Sequence, residues 1–223
     1  MPRDYAYATV TATNGVKLHS LRTRPSNAVP EVSRNNVTLT SFYGINGGFF
    51  YQNDLLSIAV VNDRPVGGAA AKYGSGAENV KYARGTLVWD GKTEGMSVQV
   101  VRASADLQVT DRSSYWAQGG ISMGLGRDGE WLGQAAAENA PFPDDERLRS
   151  AAAYDEEGNL YLIVSENRGT LADFREAIVE TVGGGKLVDG IFLDGDGSSQ
   201  LNSRERKLQG DGRPVVEMLR LIR

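Results

Sequence analysis

Residues 158 to 193, GNLYLIVSENRGTLADFREAIVETVGGGKLVDGIFL, carry the pattern from which the rest of the chain can be organised. Leu160 to Val164 form an unbroken apolar run of strand length, the mark of a strand buried on both faces. Thr170 and Asp173 stand in capping-box spacing, and Leu171, Phe174, Ile178 and Val182 recur at helical intervals on one face. Glycines at 183, 184 and 185 close that helix, and Leu187 to Leu193 supply a second apolar strand. Strand, helix and strand of these lengths predict a crossover with parallel strands and a right-handed connection. Glu166 and Asp194 then lie just past the carboxyl ends of the two strands, on one edge of the sheet, where such sheets bind ligands.

Upstream the texture differs. YAYATVTATNG, VTLTSFYGI, LLSIAVVNDRPVG, RGTLVWDG, MSVQVVRA and GISMGLGRDGEWLG read as short strands rich in β-branched and aromatic residues. Asn14-Gly15 and Asp90-Gly91 are hairpin-type turns, so many pairings are expected to be antiparallel. The small-residue, polar stretches GGAAAKYGSGAEN and GQAAAENAPFPDDE read as surface loops long enough to border a cleft. The expected fold class is α+β: a mixed, largely antiparallel sheet with a C-terminal strand-helix-strand crossover. No linker-like stretch divides the 223 residues, which reads as a single domain over 1–223.

Composition narrows the function. The formal charge is −4 with scattered basic residues, so no stripe for nucleic acid is expected. The absence of cysteine removes disulfides, thiolate metal sites and cysteine nucleophiles. The single histidine, His19, falls in an alternating strand pattern and is expected to be structural, which removes histidine-based triads. No apolar run reaches membrane-spanning length and the first ten residues lack a leader-like core. A cytoplasmic, non-membrane protein is the expectation, although a trimmed secreted chain would read identically.

Chemistry concentrates at two glycine-rich strand ends. In DGDGSSQL, residues 194 to 201, the glycines let the backbone leave the strand sharply, while Asp194, Asp196, Ser198 and Ser199 supply acceptors and hydroxyls. A self-stabilised aspartate turn is the plain alternative. Calcium is another: Asp194, Asp196, Ser198, Leu201 and Glu205 match positions 1, 3, 5, 8 and 12 of a calcium loop, but Ser199 stands where the template needs glycine and a strand precedes it. No cofactor is therefore expected. In GINGGFF, residues 44 to 50, Asn46 offers a bidentate side chain for hydroxyls and Gly47-Gly48 permits close backbone approach to a ligand, or simply a bulge. Arg147 and Arg149 are placed to clamp phosphate or carboxylate, or to stay solvated. Tyr115, Trp116 and Gln118 suit either a sugar-stacking wall or the core.

Taken in order, GINGGFF, RSAAAYDEEGNLYLI, RGTLADFREAIVE and IFLDGDGSSQL resemble the ordered motifs of the phosphodiester glycosidase family, over roughly residues 5 to 223. The resemblance implies a hydrolase that releases free sugar and a phosphomonoester from a sugar-1-phosphodiester, with Asn46, Gly47, Gly48, Arg149, Asp194, Ser198 and Ser199 lining its pocket. Two positions depart from the pattern: Asp196 stands where the family commonly has glycine, and Arg149-Ser150 replaces an arginine-threonine pair. Asp194 is the expected catalytic carboxylate, with Glu166 and Asp196 next. A non-catalytic glycan or nucleotide-sugar binding module, and a calcium-stabilised structural domain of a phage or surface assembly, are the rival readings.

Overall fold

The computed structural model of the protein describes residues 4–223. Its largest sheet has six strands in the order β1 (Ala6–Thr11), β2 (Lys17–Thr23), β14 (Leu160–Ser165), β13 (Ser150–Asp155), β15 (Leu187–Phe192) and β12 (Ile121–Ser122). Every neighbouring pair in it is antiparallel. The crossover is therefore present with one difference: β14 and β15 run parallel but are not adjacent, because β13 lies between them and pairs with both. The arrangement brings the carboxyl ends of β14 and β15, and the amino end of β13 with Arg149 before it, to one sheet edge. Ser165 N–H donates to Arg149 O and Leu193 N–H to Ser150 O across it.

Helix α2 (Leu171–Thr181) begins with the expected box: Thr170 Oγ1 accepts from Asp173 N, while the Asp173 carboxylate accepts from Thr170 N. The glycines after it adopt positive φ, 70° at Gly183, 59° at Gly184 and 81° at Gly185, which a residue with a Cβ would resist. A second helix, α1 (Trp131–Ala137), was expected as the end of a strand followed by a loop. Trp131 and Ala135, one helical turn apart, are buried, and the Gln-Ala-Ala-Ala run favours helix once that anchor is in place.

The remaining strands form two five-stranded antiparallel sheets and a hairpin. One sheet runs β10 (Gly95–Val101), β9 (Arg84–Asp90), β11 (Tyr115–Gly119), β7 (Ala59–Val61) and β8 (Arg64–Pro65); the other β17 (Lys207–Leu208), β16 (Leu201–Asn202), β4 (Gly44–Asn46), β18 (Val215–Leu221) and β3 (Ala28–Asn35). β5 (Phe50–Tyr51) and β6 (Asp54–Leu55) pair as the hairpin. Asn62 and Asp63, at φ 51° and 61°, make the tight β7–β8 turn, as positive φ at both central positions demands. VTLTSFYGI is only partly a strand. Asn36 accepts from Thr38 N and folds Val37–Leu39 into a 3-10 turn before β4. The class is α+β, as expected.

Alternation along the large sheet builds two cores. Leu18, Ala151, Ala153, Tyr161, Ile163 and Phe192 face the helices and meet Trp131, Phe174 and Ile178. Leu21, Ala152, Leu160, Leu162, Val164 and Ile191 face the other two sheets and meet Leu87, Trp116, Ile45, Leu201 and Leu219. No helix among the described residues is long and apolar enough to cross a membrane.

Candidate functional site

A cavity of about 250 Å³ opens at the sheet edge where β13 starts and β15 ends. Its apolar walls come from Phe49, Ile121, Leu171 and Phe192, and its polar groups from Arg147, Arg149, Asp194, Asp196, Ser198 and Arg213. Asp194 stands immediately beyond β15. Its amide donates to Gly47 O at 3.2 Å and its carbonyl accepts from Asn46 Nδ2 at 2.8 Å, so the backbone on both sides of its Cα is fixed. Burial pushes its carboxyl up to about 6, against the hydrogen bonds from Ser198 and the Gly195 amide and the charge of Arg213.

Arg149 is buried beside it. Nε donates to Gly169 O, and Nη2 donates to Phe142 O and Asp145 O at 2.8 and 2.7 Å. Those bonds hold the 140–146 loop over the cavity and leave Nη1 as the uncommitted end of the fork. Arg147 is differently placed. Nη1 donates to Asp196 and Nη2 to Asp145, and its plane lies 4.0 Å from the centre of the Phe142 ring. Arg213, entering from the loop before β18, is paired with Asp211.

Asn46, Gly47 and Gly48 are buried behind Asp194 and do not line the cavity. The Asn46 Oδ1 accepts from Ser150 Oγ and the Gln200 amide, and its Nδ2 is spent on Asp194 O and Gly47 O, so nothing of this side chain remains for a ligand hydroxyl. The two glycines are required by protein, not ligand: a Cβ on Gly47 would overlap the Glu217 carboxyl, and one on Gly48 would come within 2.6 Å of Ser57. Ser198 reaches the cavity, whereas Ser199 is buried away from it with its Oγ unpartnered among the described residues.

Glu166 lies on the predicted edge but outside the cavity. It leans over β2, where its carboxylate pairs with Lys17 at 3.0 Å, Arg206 at 2.9 Å and the ring of His19. Parallel strands supply a common edge, but the inserted β13 puts two strand spacings between the acids. His19 is buried between Glu166 and the Tyr7 hydroxyl, as a structural histidine. Tyr115, Trp116 and Gln118 are core residues of β11. Glu205, the last position of the calcium template, accepts from the Tyr5 hydroxyl and does not line the cavity.

Arg213, Phe142 and Glu217 were not singled out from sequence. Arg213 and Phe142 sit in loops whose approach to Asp194 depends on contacts remote in the chain. Glu217 carried one signal, a lone acid within the apolar run of β18.

The phosphodiester glycosidase family model matches residues 41–222. Among solved structures the chain is similar to the zebrafish N-acetylglucosamine-1-phosphodiester alpha-N-acetylglucosaminidase catalytic domain auto-inhibited by pro-peptide. The identity is 16%, the TM-score 0.58, and 98% of this chain and 82% of that one are covered. A hypothetical protein from Synechocystis aligns at 14% identity with a TM-score of 0.48, over 97% of this chain and 61% of that one. No curated protein matches. At 16% identity the likeness to the zebrafish catalytic domain speaks for the fold.

Proposed function

The chain belongs to the phosphodiester glycosidase family, and on that premise we propose that it hydrolyses a sugar-1-phosphodiester to free sugar and a phosphomonoester, with Asp194 as the working carboxylate. The supporting observation is that Asp194, unlike Asp196, the other carboxylate lining the cavity, is free of an ion pair, and shares the cavity with Arg149, whose Nη1 makes no hydrogen bond among the described residues.

The sugar ring packs against Phe49, Ile121 and Phe192, and the phosphate meets Arg149. Asp194 takes a proton from water as the water oxygen bonds to the anomeric carbon. The bond from that carbon to the phosphate oxygen breaks, and its electron pair leaves with the phosphate. Most glycosidases need a second carboxyl group to protonate the leaving oxygen. A phosphomonoester, with a second pKa of about 6, leaves as an anion without that help. The neighbouring acid, Asp196, is engaged by Arg147.

The test is phosphomonoester release from a panel of sugar-1-phosphodiesters. Asp194→Asn is expected to lower kcat by about 10²–10⁴-fold, the range for removing a general base, with unchanged circular dichroism. The wild-type rate should climb as pH rises through about 6, where Asp194 ionises, and that limb should vanish in the variant. Near-normal turnover by Asp194→Asn rejects the assignment. Tight sugar-phosphate binding without release by the wild type would favour a binding module.

A further inference from the structure

Asp196 adds a second carboxylate, after Asp194, to a cavity that three guanidinium groups also line. Two of the three are already neutralised: Arg147 by Asp145 and Asp196, and Arg213 by Asp211. Arg147 cannot swing away to meet a ligand at little cost, because the Phe142 ring lies against its plane while the two carboxylates hold its edges. The main chain is also committed. Asp196 has φ 55°, a left-handed conformation in which glycine or asparagine is more at ease, and its amide donates to Leu148 O at 2.7 Å.

We propose that Asp196 is a specificity-determining residue that admits singly charged phosphodiesters and disfavours doubly charged phosphomonoesters. This rests on the reading of the cavity as a sugar-phosphodiester site. A diester carries one negative charge, which Arg149 can meet. A monoester above pH 7 carries about two. Its second charge faces the Asp196 carboxylate, with Arg147 already spent. The same repulsion acts on the phosphomonoester product, so Asp196 favours release after the bond is cut.

Calorimetry at pH 8 with N-acetylglucosamine 1-phosphate and glucose 1-phosphate, each beside its methyl phosphodiester, tests the idea on Asp194→Asn, which stops turnover during the titration, and on the same protein carrying Asp196→Asn or Asp196→Gly. Both variants suit the left-handed backbone, and glycine also removes any hydrogen bond to Arg147. The expected result is that monoester Kd falls about tenfold relative to diester Kd in both variants, the order set by one like charge a few ångströms away in a partly screened site. An unchanged ratio, or monoester and diester affinities moving together, overturns the proposal, as does failure of all four esters to bind any of the proteins. If the ratio shifts as expected while the wild type cleaves no diester, the charge filter stands and the hydrolase reading falls.

Discussion

Glu217 shows how a single side chain can explain a motif that looks like a ligand loop. Its carboxylate Oε2 accepts from the Gly48 amide at 3.0 Å, its main-chain oxygen accepts from the Gly47 amide, and Oε1 is buried with no partner among the described residues. Burial pushes this carboxyl up to about 7 from an ordinary 4.5. The folded chain therefore binds more protons here than the unfolded chain, and the contribution of this group to stability falls as pH rises. The loss begins near pH 4.5, is complete by about pH 7, and amounts to the order of 3 kcal/mol. Glu217→Gln should remove much of this dependence, so denaturant titrations at pH 5 and pH 8 should differ less for the variant than for the wild type. Equal pH dependence in the two proteins would show that Glu217 ionises freely in the fold. From sequence, Asp194, Ser198 and Arg149 were legible because each sits at or beside the end of a strand on the predicted edge. Gly47 and Gly48 were legible as a place where no Cβ fits, but not as to what fills the space: Glu217, some 170 positions away, at Gly47, and Ser57 and Gln118 at Gly48.

At the level of elements, the crossover was readable because its signals are local. The capping box, the apolar stripe of α2 and the glycine stop all lie within about 20 residues of one another, and each satisfies its own backbone groups. The insertion of β13 between the two strands leaves no such trace, for strand order is set by which apolar faces meet. The short helix α1 was missed because its cap, Glu130, makes no side-chain hydrogen bond and Gly133, a weak helix former, lies within it; burial of Trp131 and Ala135 decides its state. The cap of α2 should matter more. Thr170→Ala deletes the acceptor for the Asp173 amide, so unfolding free energy is expected to drop by about 1 kcal/mol. Thr170→Ser, which keeps the oxygen, should recover most of it. If alanine and serine behave alike in urea melts, the box contributes nothing beyond its geometry.

For the molecule as a whole, the last strand ties the parts together. β18 pairs with β3 on one side and with the three residues of β4 on the other, so the bend that fixes the Asp194 backbone is bound to the final segment of the chain. Val215, Met218, Leu219 and Leu221 are buried along it, and each lost large apolar side chain costs roughly 1.5–3 kcal/mol of burial. Against a total stability of about 5–15 kcal/mol for a domain, loss of the strand is expected to exceed what the rest can supply. β4, with only β16 left as a neighbour, would also expose unpaired backbone groups next to the cavity. A chain ending at Gly212 should therefore lack a cooperative thermal transition, bind a hydrophobic dye and lose near-ultraviolet dichroism, even though the residues that line the cavity, apart from Arg213, are all retained. A sharp transition with native-like near-ultraviolet bands would instead mean that the six-stranded sheet and its helices fold without this closure, and that the cavity is assembled by the crossover alone.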